Sequence, residues 1–253
     1  MSSTNIFRLD GKRVLITGAS SGFGAHFAQV LAGAGAEVIL GARRLDRLEQ
    51  TAATVRKAGG VAHTVRLDVA DGASVREAFD VMPAPDVVIN NAGINIEGNT
   101  LELPEQDWDR ILDTNVKGMW MVSREAIRLW VNENRPGNII NIASILGLRV
   151  QSQLAAYTTS KAAAVQLTRS LALDYARHRV RVNAICPGYF STEINRDWLE
   201  TEGGQKMVRR IPFRRVGQLH ELDGALLLLA SEASSYMSGS TIVVDGAHTQ
   251  NSL

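Results

Sequence analysis

The chain has 253 residues, 45% hydrophobic and 21% charged, with a formal net charge of +1. Twenty-seven basic residues against 26 acidic ones leave no field that would gather a polyanion or an anionic membrane surface, so neither nucleic acid nor membrane is an expected partner. A single cysteine, Cys186, cannot form an internal disulfide. Residues 1–10 lack an apolar core of signal-peptide length, and the longest apolar run, Ala225–Ala230, falls far short of the roughly 20 residues a bilayer span needs. The expected address is a reducing cytoplasm.

Short β-branched runs alternate with longer amphipathic stretches, the pattern of an α/β domain built on a parallel sheet. In chain order the elements are a strand over Arg13–Thr17, a helix over Gly24–Ala34, a strand over Glu37–Gly41, a helix over Arg44–Ala58 and a strand over Ala62–Asp68. A helix over Ala73–Val81, a strand over Asp86–Asn90, a long helix over Pro104–Glu133 and a strand over Asn138–Ser144 follow. The chain continues through a helix over Ala155–Ala176, a strand over Arg181–Cys186, a helix over Leu219–Ser231 and a last strand over Thr241–Asp245. Runs such as VLIT and VVIN are apolar at every position, as expected where helices cover both faces of a sheet. Gly35, Gly59 and Gly137 stand where helices should stop, and Pro104 suits a first helical turn. Seven strands fit one doubly wound sheet in a single domain over residues 1–253, with Tyr189 to Arg215 the least regular segment and a candidate lid.

The first strand runs into Thr17-Gly18-Ala19-Ser20-Ser21-Gly22-Phe23-Gly24 and then a helix. Missing side chains at Gly18, Gly22 and Gly24 allow a tight turn, a close backbone approach to a pyrophosphate and close helix packing, with the phosphate at the positive helix end. An ordinary glycine-rich turn would look similar, and the spacing is G-x-x-x-G-x-G rather than G-x-G-x-x-G. A second signal is Asn90-Asn91-Ala92-Gly93 at the end of the fourth strand, the edge where ligands of doubly wound folds bind. There the Asn side chains could tie strands together, or simply form a turn. Asp68, followed by Val69 at the third strand's end, could accept from an adenine amino group or cap the next helix.

Tyr157 and Lys161 are four residues apart on one helix and face the same way. Tyrosine titrates near 10, and a nearby ammonium favours its phenolate, so such a pair can be a tuned acid/base or a plain surface pair. Ser144, at the end of the fifth strand, could donate to an oxygen gaining charge, or be a turn residue. Asn115 lies inside the long helix, where asparagine is unfavourable. It is either an inward amide that interrupts the helix and holds a water, or a solvent-facing residue.

Taken together, TGASSGFG, NNAG, Ser144, YTTSK and the Pro187-Gly188…Thr192 turn, in this order and spacing from about Gly11 to Gly246, resemble the classical short-chain dehydrogenases/reductases. The resemblance implies a Rossmann fold, a nicotinamide cofactor and reversible interconversion of a ketone and a secondary alcohol. By position, Tyr157 would be the acid/base and Ser144 would hold the substrate oxygen. Lys161 would lower the tyrosine pKa and bind the nicotinamide ribose, and Asn115 would support a proton relay through water. The cofactor would contact Gly18, Ser20, Ser21, Gly22, Phe23, Gly24, Asp68, Val69, Asn91, Ala92, Gly93, Pro187, Gly188, Phe190 and Thr192. Ala42 stands where NAD-preferring relatives carry Asp, and Arg43 could grip a 2′-phosphate, so NADP is expected ahead of NAD. His178-Arg179-Val180 and Ala247-His248 depart from places where many relatives carry glycine.

The resemblance further implies a homotetramer, with a dimer second, in which Leu167 and Leu171 supply a helix seam or face the core. Pocket residues flanking the catalytic set would be Asn95, Ile96, Ile145, Leu146, Gln151, Tyr189, Trp198 and Met207. The general look of the chain is closest to 3-oxoacyl-carrier-protein reductases and the alcohol, sugar and steroid dehydrogenases beside them. A catalytically silent nucleotide sensor on the same fold is the competing class; an epimerase of the extended relatives would need G-x-x-G-x-x-G and a longer C-terminal region. No metal is expected, because the five histidines show no ligand spacing.

Overall fold

The computed structural model describes residues 6–192 and 196–250. Parts of the expected lid (193–195) and of the C-terminal tail (251–253) therefore lie outside the described residues. The elements are β1 (Arg13–Thr17), α1 (Gly22–Gly33), β2 (Glu37–Ala42), α2 (Leu45–Lys57), β3 (Val61–Arg66), α3 (Gly72–Val81) and β4 (Val87–Asn90). Then come α4 (Glu105–Leu112), α5 (Met119–Asn132), β5 (Gly137–Ile142), α6 (Ala155–Tyr175) and β6 (Val180–Pro187), followed by α7 (Arg196–Glu200), α8 (Glu202–Val208), α9 (Asp223–Ala230) and β7 (Thr241–Val244). The sheet is the expected seven-stranded parallel one, in the order β3-β2-β1-β4-β5-β6-β7. The chain reverses its direction of sheet growth between β1 and β4, which opens a crevice at their carboxyl ends.

Alternate residues of each strand feed two cores. Val14, Ile16, Val38, Leu40, Ile89 and Ile140 pack with Phe27 and Leu31 of α1, Leu48 of α2 and Leu226 and Leu229 of α9. Leu15, Ile39, Val88, Ile139 and Val182 face the other way, onto Val75 of α3, Val122 and Trp130 of α5 and Leu171 of α6. Burying each such aliphatic side chain contributes about 1.5–3 kcal/mol, so the sheet edges that carry the site stand on a rigid base. Trp130 is fully buried, and its indole N–H donates to Pro85 O at 2.8 Å.

Three expectations change. The helix expected over Pro104–Glu133 is not uniformly α: a π-helical turn over Asp113–Gly118 joins α4 to α5. Gly137 does not stop a helix. A Cβ there would lie 1.9 Å from the Trp130 ring, so the glycine makes room for the indole, while Asn134, with φ 49°, turns the chain after α5. Leu171 and Leu167 pack into the core, and the exposed apolar side chains on these long helices are instead Trp108, Trp120 and Leu173. No helix among the described residues is long and apolar enough to cross a membrane.

Candidate active site

The glycine turn is built on contacts that glycine alone permits. Gly18 has φ +68°, and a Cβ on it would lie 2.9 Å from Ala92 Cα. A Cβ on Gly24 would meet the Gly18 carbonyl oxygen at 2.4 Å. The turn therefore closes directly on the residues that follow β4. Asn91 locks this closure, its Nδ2 donating to Thr17 O at 2.9 Å and to Gly18 O at 3.3 Å. Thr17 Oγ1 accepts from the backbone N–H groups of Asn91 and Ala92, both at 3.0 Å. Asn90, fully buried, donates to Asn141 Oδ1 on β5 and to Ser123 Oγ on α5, each at 2.9 Å. Of the two readings of this Asn pair, the ties between strands hold.

A cleft of about 580 Å³ runs along this edge. Its walls include Gly18, Ser20, Ser21, Gly22, Phe23, Arg43, Asp68, Val69, Asn91, Ala92, Gly93, Tyr157, Lys161 and Thr192. Arg43 is exposed at the mouth and makes no hydrogen bond or ion pair within the described residues. Asp68 does not cap a helix: its carboxylate accepts from Ala70 N at 3.1 Å, and Asp71 caps α3. Gly24, Pro187, Gly188 and Phe190 do not line the cleft. Phe190 is buried, edge-on to Phe23 at 5.7 Å between ring centroids, and Gly188 donates its N–H to Val244 O. Arg110 and Thr114 do line it and went unnoticed in the sequence, where a long exposed helix gives no sign of which turn faces a ligand.

At the far end Tyr157, Lys161, Ser144 and Asn115 converge. Lys161 is buried, and its Nζ donates to Ile142 O at 2.9 Å and lies 5.6 Å from the centroid of the Tyr157 ring. A Cβ on Gly93 would lie 3.2 Å from Asn115 Oδ1 and 3.6 Å from Lys161 Nζ. Asn115 sits in the π turn with its amide inward: Nδ2 donates to Ile94 O at 2.9 Å and to Ser160 Oγ at 3.0 Å, and Oδ1 accepts from Ile94 N at 2.8 Å. Ser160 Oγ donates in turn to Tyr157 O at 2.7 Å. The amide does point inward, as one reading of the sequence had it, but its protons are spent on protein. Ser160, unremarked within YTTSK, links Asn115 to the backbone of Tyr157.

The electrostatics differ from the simple pairing of phenol and ammonium. Burial pushes Tyr157 up to about 12, with the Ser144 hydroxyl pulling the other way, and burial pulls Lys161 down to about 8. Loss of water outweighs mutual stabilisation, because the ammonium is held on the Ile142 carbonyl rather than on the phenol. The Cys186 thiol, fully buried behind them, is raised to about 11 by the same loss of water, which suits packing rather than nucleophilic chemistry.

A family profile described as Enoyl-(Acyl carrier protein) reductase matches residues 18–249. The chain is 36% identical to a gluconate 5-dehydrogenase of Gluconobacter oxydans, covering 98% of this chain and 99% of that one. The structure of a short-chain type dehydrogenase/reductase from Mycobacterium marinum superposes with a TM-score of 0.94 at 40% identity, over 99% of this chain and all of that one. This chain belongs to the short-chain dehydrogenase/reductase family. It is an NAD(P)-dependent oxidoreductase with that family's Rossmann fold. A gluconate 5-dehydrogenase from Burkholderia cenocepacia, solved in complex with NADP and tartrate, is 35% identical with a TM-score of 0.93, over 98% of this chain and 99% of that one.

Proposed function

We propose that this dehydrogenase interconverts a secondary alcohol and a ketone, with NADP preferred over NAD and with Tyr157 as the acid/base. The reading rests on one observation: Tyr157, Lys161, Ser144 and the Asn115–Ser160 brace meet at one end of a cleft whose other end holds the glycine turn and the uncommitted Arg43. A silent sensor would need the second end and not the first.

The residues present fit a nicotinamide dinucleotide. Ser21 at the N-terminus of α1 makes no side-chain cap hydrogen bond, the first turn carries no acidic residue, and a Cβ on Gly22 would stand in open space. Free N–H groups therefore remain for a pyrophosphate, held by Gly18, Ser20, Ser21, Gly22 and Phe23. Asp68 and Val69 would flank the adenine and Arg43 the 2′-phosphate. Asn91, Ala92, Gly93 and Thr192 would surround the ring, and Tyr157 and Lys161 the ribose. When bound, the cofactor accepts or supplies a hydride.

This chain's own groups handle the proton and the oxygen. Tyr157, kept in its phenol form by burial, gives its proton to the substrate oxygen during reduction and takes it back during oxidation. Ser144 donates to the same oxygen as charge gathers on it. Lys161, held on the Ile142 carbonyl with its Nζ 5.6 Å from the centroid of the Tyr157 ring, faces the ribose, and Asn115 positions Tyr157 through Ser160. Residues 189–192 and 196–215 would act as a lid over the substrate.

For the substrate, a small hydroxylated acid or sugar is the first choice and a 3-oxoacyl thioester the second. The polar side chains Gln151, Tyr189 and Asn95 favour the first, and so does likeness to the gluconate dehydrogenases. The assembly would be a homotetramer closed through Trp108, Trp120 and Leu173, the exposed apolar side chains of the long helices, and light scattering tests it. The deciding experiment for the function follows NADPH and NADH absorbance across aldonic acids, sugars, simple secondary alcohols, their ketones and 3-oxoacyl thioesters. Turnover of any alcohol or ketone supports the reading, and none with either cofactor overturns it.

A further inference from the structure

β7 lies beside β6 and parallel to it, so the residues after Val244 emerge at the same carboxyl edge as the catalytic groups. They do not leave it. Asp245 curls the chain, its carboxylate accepting from Ala247 N at 2.9 Å and Thr249 N at 2.7 Å. Gly246 and Ala247 take φ of +61° and +67°. The turn before Tyr189 is pressed onto this curl, since a Cβ on Gly188 would lie 2.8 Å from Asp245 Cα. The tail is further tied to the lid, where Phe213 N donates to Gly246 O at 3.4 Å.

The curl sets the His248 ring against the Tyr189 ring, with centroids 5.7 Å apart and planes tilted by 40°. Tyr189 in turn donates its hydroxyl to Gln151 Oε1, in the segment just before α6, and lies close enough to Tyr157 to act on it electrostatically. Glu97 and Arg210 act on Tyr189 in the same way. Three distant stretches of chain thus meet beside the catalytic tyrosine in a polar wall that includes the half-buried His248. Its Nδ1 is buried and has no hydrogen-bond partner among the described residues. That nitrogen adds no hydrogen bond to the wall, so what His248 brings to Tyr189 is the face of its ring.

We infer that residues 245–250, after β7, form one wall of the substrate site, with His248 as a positioning residue that seats Tyr189 and, through the Tyr189 hydroxyl, aims the Gln151 amide at a hydroxyl group of a polyhydroxylated substrate. The inference rests on the dehydrogenase reading above and narrows its substrate class. Gln151, exposed and with its oxygen taken by Tyr189, presents its amide protons to an acceptor. A substrate with hydroxyls flanking the reacting carbon offers one, and a simple secondary alcohol does not. Fixing the Gln151 rotamer before binding removes an ordering cost from recognition.

The test compares kcat and KM for the best polyhydroxylated substrate in a panel of aldonic acids and sugars with those for cyclohexanol, in wild type, His248→Ala, His248→Phe and Gln151→Leu. The expected result is a fall of about tenfold in the preference for the hydroxylated substrate in His248→Ala, mostly through KM. Gln151→Leu should match it, with no further loss when His248→Ala and Gln151→Leu are combined in one protein. His248→Phe, which keeps a ring against Tyr189, should regain most of the preference, something general damage to the fold would not allow. Equal losses on both substrates, or an unmoved preference in a His248→Ala protein that binds NADPH normally, overturn the role of His248 while leaving the dehydrogenase reading intact. Turnover of cyclohexanol but of no polyhydroxylated compound overturns the substrate class. No turnover of either, with either cofactor, overturns the inference together with the reading beneath it.

Discussion

The first half of the chain and the second solve one backbone problem differently. Among the described residues, every left-handed position up to Gly59 is a glycine: Gly11, Gly18, Gly22, Gly35 and Gly59. Beyond it the same conformation is held by Asn134, Gln153, Arg179, Arg214 and Ala247, with glycine only at Gly239 and Gly246. In the first half Gly18 and Gly22 shape the β1–α1 turn of the nucleotide cleft, where Gly18 must also let backbone meet backbone, and Gly11, Gly35 and Gly59 turn the chain into β1, β2 and β3. In the second, Gln153, Arg214 and Ala247 lie in the segments around the substrate side, where the conformation costs roughly 1–2 kcal/mol per non-glycine residue. Strain of this kind persists only where surrounding contacts fix the chain. The cofactor half is thus fixed by hydrogen bonds and absent side chains, and the substrate half by side chains that hold a costly backbone in place.

The sharpest way to separate the halves is to remove chemistry from one and leave binding in the other. Tyr157→Phe deletes a hydroxyl from the second half without touching the glycine turn, so kcat should fall at least about a hundredfold, within the 10²–10⁴ range of positioned acid/base groups. The dissociation constant for NADPH, read by fluorescence, should stay within about threefold. Retention of more than a tenth of wild-type kcat would remove Tyr157 from the proposed role. Arg43→Ala does the reverse. Losing one charge-assisted phosphate contact, worth about 1.5–3 kcal/mol, should cut kcat/KM with NADP by about 10–100-fold and leave that with NAD nearly unchanged. A wild type that prefers NAD, or a cofactor ratio that does not move, would take the 2′-phosphate away from Arg43.

The same contrast explains what could be read in the sequence. The sheet was legible because apolar runs such as VLIT and VVIN are buried on both faces, and the glycine turn because its contacts are local in sequence. The π turn at Asp113–Gly118 was visible only as an ill-placed Asn115, since periodicity cannot distinguish one extra residue in a turn from none. Gly137 was misread because its reason, the Trp130 ring, comes from packing and not from a turn. Arg179 and Ala247 were noticed as departures from glycine, and both prove to be left-handed. Arg179 is anchored there by its guanidinium, which donates to Asn134 O at 2.6 Å. The wall formed by Gln151, Tyr189 and His248 joins residues separated by almost a hundred positions, and nothing in their local patterns connects them.

Lys161 stands where the halves meet, and pH probes how dry that junction is. Burial lowers its folded pKa from 10.5 to about 8. Between those two values the unfolded chain binds more protons than the folded one, so stability should rise with pH across this window. Below about 8 both states are protonated and the full cost of the buried ammonium remains. A Lys161→Met variant lacks the group. The difference in unfolding free energy, wild type minus variant, should therefore grow as pH climbs from about 8 to about 10.5 and be flat below it, as read by urea denaturation. A flat difference throughout would mean that water reaches Nζ and that the closed junction does not persist in solution.

The smallest expected effect bears most directly on the opening contrast. Ala247, at φ +67°, has a methyl group where left-handed backbone favours none, so Ala247→Gly should relieve about 1–2 kcal/mol of folded-state strain. The added freedom of glycine in the unfolded chain returns about 0.4–1 kcal/mol of that. The net expectation is a gain of roughly 0.5–1 kcal/mol, or about 1–4 °C in Tm for a domain of this size, measured by calorimetry. Gly18→Ala, the opposite exchange in the first half, should destabilise instead, because its Cβ would press on Ala92 Cα at 2.9 Å. If Ala247→Gly stabilises the fold and also raises KM for the hydroxylated substrate, the methyl group was holding the tail in the posture that seats His248 on Tyr189. The strain would then serve recognition, in keeping with the usual exchange of stability for function at a site. If it destabilises the fold, the Asp245 curl is held by contacts of that methyl group, and the contrast between glycine turns and strained walls fails at the position where it is most exposed to test.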